Sequence, residues 1–167
     1  MEFLNKWLNR IDTYLNYISA AAIFVMMLLI VLDVALRAAI NKPLVGVLEF
    51  TGEYLLVTIV FFGISYAYLH KEHVRVEIIV DRLSKSVQRI LQLISNVIGI
   101  VVIAALGVTN FQKGLDMFER NIRSVSLLEY PLAPAYMIIT VGIAMLIIRL
   151  LFETLTILLE MKGSKSH

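Results

Sequence analysis

The chain has 167 residues, of which 59% are hydrophobic and only 17% charged, whereas about a quarter of an average soluble domain is charged. A formal net charge of +2, mixed in sign along the chain, excludes a nucleic-acid binder. The absence of cysteine excludes disulfides, thiolate nucleophiles and sulfur-ligated metals.

The mean hydropathy of +0.83 is concentrated in four long apolar blocks. A bilayer core of ~30 Å needs about 20 helical residues per crossing. Four crossings consume most of the chain, so residues 1–167 form a single membrane domain with no room for a soluble catalytic one. The expected fold is an all-α integral membrane protein of four transmembrane helices. The first block exceeds the 7–15 residues of a signal-peptide core and no small-residue cleavage site follows it, so it is read as a retained helix.

The first crossing is predicted from about Tyr14 to Arg37. Ahead of it Leu4, Trp7, Leu8 and Ile11 recur at helical spacing, with Lys6 and Arg10 elsewhere on the wheel. This is a short amphipathic N-terminal segment, which either lies on the membrane surface or simply extends the first helix. The second crossing runs from about Val45 to Leu69, after a turn marked by Pro43 and Gly46. Between crossings two and three, roughly Val74 to Lys85, the residues Val76, Ile79, Val80 and Leu83 share one helical face, and Arg75, Asp81, Arg82 and Lys85 lie off it. Alternation over Val74 to Ile78 also permits a strand. An open strand edge would leave backbone groups unpaired at a membrane surface, which favours an amphipathic interfacial helix. The third crossing spans about Val87 to Phe111 and the fourth about Pro131 to Leu159, with Pro131 and Pro134 placed in a first turn where a missing N–H is harmless.

Ten of the fifteen Lys and Arg residues fall on the side of the two termini. The other five, Arg37, Lys42, Lys113, Arg120 and Arg123, fall on the opposite side. The positive-inside rule then puts both termini in the cytoplasm. Tyr14, Tyr17, Tyr66 and Tyr68 at one level, with Phe111, Phe118 and Tyr130 at the other, fit the two aromatic belts.

Chemistry-bearing residues are few. The three histidines, His70, His73 and His167, lie outside the apolar blocks, so no haem ligand faces a membrane interior. No metal set, cofactor site or nucleophile–base pair is legible, and the chain is not expected to be an enzyme. The informative ionisable residues flank the first hairpin. Asp33 and Arg37 are four apart, as are Glu49 and Glu53, so each pair shares a helix face. The cluster reads either as a substrate or proton site or as charge pairing that pins the hairpin or docks a partner subunit. The second is preferred because no comparable charge lies at the middle of any crossing, where coupled transporters place their sites. Gly63, Gly99, Gly107 and Gly142 are candidates for close helix contacts, and Arg149 and Glu153 are expected to pair along the fourth helix.

In order and spacing these residues resemble one family, the DctQ-like small membrane subunit of tripartite ATP-independent periplasmic (TRAP) transporters. The resemblance runs through Asp33-Val-Ala-Leu-Arg37, Pro43, Glu49 and Gly63, then His73-Val74-Arg75-Val76 and Asp81-Arg82-Leu83. It continues through Pro131, Pro134, Tyr136, Gly142 and Arg149. Glu53 is an addition to the family pattern. The resemblance implies a haem-free, cofactor-free scaffold in the bacterial inner membrane. Its implied partners are a large elevator-type permease subunit, the bilayer and, transiently, a periplasmic binding protein, the complex taking up a C4-dicarboxylate or sialic acid with sodium. It further implies that His73, Arg75, Arg82 and Lys85 hold the complex at the inner interface. Lys42, Arg120 and Arg123, with Asp116 and Glu119 nearby, would then be available to the binding protein. The rival readings are a self-contained four-helix exporter acting as a homodimer, which would need a glutamate in the middle of helix one, and a haem-free anchor of another membrane complex.

Overall fold

A computed structural model describes residues 2–70, 84–126 and 128–163. The elements are α1 (Glu2–Ile40), α2 (Val47–Phe50), a π-helical turn (Thr51–Leu55), α3 (Leu56–Leu69), α4 (Lys85–Glu119) and α5 (Ala133–Gly163). Helix α2, the π turn and α3 run on as one apolar span. Together with α1, α4 and α5 they supply four spans long and apolar enough to cross a membrane, so the chain is an all-α membrane protein. The expected interfacial helix, Val74 to Lys85, lies outside the described residues except for Ser84 and Lys85, where α4 begins.

The helices exceed their apolar blocks. Helix α1 has 39 residues and so measures ~58 Å at 1.5 Å per residue, well beyond the ~30 Å hydrocarbon core. Its N-terminal amphipathic segment therefore continues the first crossing instead of breaking from it. Helix α4 passes Phe111 and ends at Glu119, and after the apolar run has stopped Gly114 still lies against Tyr136 and Met137 of α5. Helix α5 starts at Ala133, two residues later than expected, so that Pro134 alone falls in its first turn.

From Tyr17 to Leu36, α1 keeps only Ser19, Ala22, Met26, Leu29, Asp33 and Leu36 from full exposure. That alternation of threes and fours is the 3.5-residue repeat of a narrow helix seam. Helix α4 shows the same pattern at Leu93, Asn96, Ile100, Ile103, Gly107, Asn110, Gly114 and Met117. The two seams face different partners. Helix α1 packs on α3, α3 on α5, and α5 on α4, giving a row in the order α1, α3, α5, α4. Helix α5 holds most of the core, with Ala133, Ala135, Ile143, Met145, Leu146, Leu150 and Ile157 all buried. Away from their seams α1 and α4 expose large apolar side chains such as Phe24, Val31, Val101 and Val108.

One approach is tighter than side chains allow. A Cβ on Gly142 of α5 would sit 2.3 Å from the Phe61 carbonyl oxygen of α3, so here backbone meets backbone. Gly63 and Gly107 also lie at crossings, against Ser19 and Ile143, whereas a Cβ on Gly99 would find only ordinary contact.

Candidate functional site: buried polar ties at the two ends of the row

The described charges gather at the two ends of the spans. At the end holding both termini, Asp12 is wholly buried and Arg149 is 4% exposed. Arg149 Nη2 and Nε donate to Asp12 Oδ2 at 2.5 and 3.1 Å. The guanidinium also donates to Asn9 Oδ1 at 2.5 Å and to Asn5 Oδ1 at 3.1 Å. The other carboxylate oxygen of Asp12 accepts the buried Ser65 hydroxyl at 2.7 Å. This network joins α1, α3 and α5. A buried ion pair repays its desolvation only when the remaining donors and acceptors are also satisfied, and here they nearly all are.

Arg149 and Glu153 do not pair with each other. Glu153 accepts instead from Gln92 Nε2 at 2.5 Å and from the Tyr68 hydroxyl. Asn96 continues this second network, lying 3.2 Å from the Tyr68 hydroxyl and donating to Thr154 Oγ1 at 3.4 Å. Thus α5 offers one polar residue to α1 and the next, one turn on, to α3 and α4.

Sequence reasoning missed Asp12. The available signal was the i, i+4, i+7 spacing of Asn5, Asn9 and Asp12 on one face. Reading Leu4, Trp7, Leu8 and Ile11 as the face that matters hid it. Leu8 is buried, but Trp7 and Ile11 are exposed, and the polar face is the one turned inward.

At the opposite end Arg37 Nη2 donates to Asp33 Oδ2 at 2.8 Å, and the Leu44 amide donates to Asp33 Oδ1 at 2.7 Å. The buried carboxylate therefore closes the turn after α1, where Asn41 ends the helix with φ 55°. Gly46 follows with φ 76°, and a Cβ there would meet Leu128 at 2.5 Å. The left-handed conformation favours glycine, whereas the contact is with the exposed side chain of Leu128, which can swing aside.

Glu49 and Glu53 do not share surroundings. Glu49 precedes the π turn, is exposed and makes no hydrogen bond or ion pair with a described residue, while Glu53 lies within the turn, half-buried and facing the loop after α4. There the Tyr130 hydroxyl lies near Ser124, Ser126 and Glu53. Burial first, and then Glu53, push that hydroxyl above its ordinary pKa, while the serines pull it back. Among the described residues, Glu53 Oε2, Ser126 Oγ and Tyr130 Oη are buried without a hydrogen-bond partner. The Tyr130 ring meets Phe50 and Tyr54 edge-on, at 5.7 and 5.4 Å between centroids. The Tyr54 hydroxyl donates to the Pro131 carbonyl. The loop itself closes through Ser124 N to Tyr130 O at 2.8 Å and Leu132 N to Ile122 O at 3.2 Å.

Lys42 and Arg123 are exposed, and Arg120 pairs with Asp116 at 2.6 Å on the surface. His73, Arg75 and Arg82 lie outside the described residues, and Lys85 opens α4. Among the described residues no three His, Asp or Glu side chains converge as a metal site would require.

No curated protein matches the chain. The family model described as tripartite ATP-independent periplasmic transporters, DctQ component, matches residues 26–160, which include the Asp33 turn, the π turn and Arg149 but not Asp12. On that match, and with four membrane-spanning helices, the chain belongs to the DctQ component family of the TRAP transporters and is a multi-pass membrane protein.

Proposed function

We propose that this chain is the stationary scaffold of a sodium-coupled TRAP transporter, packing against and anchoring a large elevator-type permease subunit. The complex takes up an organic acid, a C4-dicarboxylate or a sialic acid, delivered by a periplasmic binding protein. Both termini lie on the cytoplasmic side of the inner membrane. Lys42, Arg120 and Arg123 are then on the periplasmic side, within reach of the binding protein.

One observation carries the reading. No Asp, Glu, Lys or Arg occurs from Tyr14 to Leu32, Tyr54 to Leu69, Ile90 to Phe111 or Pro131 to Ile148. A carrier of organic anions and sodium places ionisable or unwound backbone groups near mid-depth. Here the centres of the spans carry no ionisable side chain, and the charges lie at their ends, where side chains such as Asp12 and Arg149 tie helices together. The moving pathway then belongs to a partner.

Purification through a tag on this chain in mild detergent tests the proposal. The large permease should co-elute, and uptake by reconstituted vesicles should require both. Recovery of a lone homodimer that itself transports the substrate would overturn it. Because Glu49 is exposed and unpaired among the described residues, Glu49→Ala should weaken permease recovery. Unchanged assembly and uptake would remove Glu49 from the docking surface.

A further inference from the structure

Beside the Asp12–Arg149 network lies a cavity of about 220 Å³, walled by Asn5, Tyr68, Leu69, Arg149, Phe152, Glu153 and Thr156. Asn5 opens the first span and Leu69 closes the second, so the cavity sits at the depth where the spans end. The adjoining stretch of α1 carries Phe3, Lys6, Trp7 and Arg10, with the Arg10 guanidinium 6.0 Å from the Trp7 ring centre. Aromatic and basic residues grouped in this way mark the lipid headgroup level.

The polar walls are of two kinds. Glu153 accepts only from the neutral donors Gln92 and Tyr68, and no described cation pairs with it, because the charge of Arg149 is matched by Asp12. On the other wall, Arg149 has five N–H donors, and its bonds to Asp12, Asn9 and Asn5 leave one on Nη1 uncommitted. Asn5 accepts from Arg149 through its oxygen, so its amide N–H groups remain to donate. Among the described residues, the cavity thus offers N–H donors on one side and a carboxylate with no paired cation on the other. Leu69 and Phe152 supply apolar wall between them.

We propose that this cavity binds the headgroup of a zwitterionic aminophospholipid, its primary ammonium on Glu153 and its phosphate on Asn5 and Arg149. The volume is about seven times the ~30 Å³ share of a liquid water, far larger than a monatomic ion needs and suited to an organic headgroup. Thr156 Oγ1 donates to the Phe152 carbonyl and keeps its lone pairs for a second ammonium N–H. A choline nitrogen, with three methyl groups and no N–H, cannot make these bonds. An anionic glycerol headgroup leaves Glu153 without a cation.

The test takes the chain purified with whatever subunits co-elute. It is equilibrated with vesicles of equimolar phosphatidylethanolamine, phosphatidylcholine and phosphatidylglycerol, and the retained lipid is read by native mass spectrometry. The ethanolamine lipid should be retained about tenfold over the choline lipid, the ratio given by about 1.4 kcal/mol. Stepwise N-methylation of the headgroup should erode that preference. Glu153→Gln should abolish it, while Glu119→Gln, at the opposite end, should leave it intact. Equal retention of all three lipids would overturn the proposal, as would preference for phosphatidylglycerol. So would exclusion of every lipid when the large subunit is present, which would assign the cavity to a protein side chain. The wild-type methylation series decides the matter even if the Glu153 variant fails to fold.

Discussion

Arg149 directs four of its five N–H groups to α1, and the acceptor that matters most is a carboxylate with no exposure at all. Removing one member of such a pair strands the other charge in a low-dielectric interior, which costs about 3–5 kcal/mol, whereas removing both costs much less. Asp12→Ala should therefore lower stability in detergent by about 3 kcal/mol, and Asp12→Ala combined with Arg149→Met should recover part of that loss. Denaturant titration of the purified chain measures both, and a single variant as stable as the wild type would show that the pair holds nothing. The ends of the spans were legible as charged, but not the pairings. A spacing of four on one helix predicts that Arg149 pairs with Glu153, yet each finds a better partner on another helix. Sequence spacing ranks neighbours within a helix and is blind to partners 61 to 137 residues away on other helices.

At the level of single helices, apolar content located every crossing and misjudged their ends. Helices α1 and α4 continue past their apolar runs because each keeps a seam packed on a neighbour, so tertiary contact sustains turns that hydropathy alone would end. The π turn was not legible, since nothing in Thr51-Gly-Glu-Tyr-Leu55 announces an extra residue. Glu49 lies before it and is exposed, whereas Glu53 lies within it and is half-buried. Gly142 was one of several glycines in apolar blocks, and only the packing singles it out. Gly142→Ala places a methyl on the Phe61 carbonyl and should force α5 off α3, lowering the thermal midpoint in detergent by several degrees. Gly52→Ala meets nothing within 4 Å and should be neutral or slightly stabilising, given alanine's helix propensity. Equal effects of the two substitutions would contradict the close backbone approach.

For the whole molecule, the row α1, α3, α5, α4 can be checked by cross-linking, because the chain has no cysteine of its own. A Cβ on Gly107 would lie 3.9 Å from Ile143 Cβ, inside the ~3.5–4.5 Å range of disulfides. Gly107→Cys with Ile143→Cys should therefore oxidise readily within one chain. Ala22→Cys with Gly107→Cys, on the two outer helices, should not; if it did, the row would have to fold back into a closed bundle. An open row leaves two broad apolar faces, with Phe24, Val31, Val101 and Val108 among the exposed side chains. That four helices cross a membrane and that their centres carry no charge could be read from composition and local order alone, and the DctQ pattern from the resemblance of its motifs. Which helices touch, that Asp12 and Arg149 find each other and that Glu153 faces a cavity emerge only from the packing of the helices. Those depend on contacts between residues far apart in the chain, whose cost in a low-dielectric interior is set by what surrounds them.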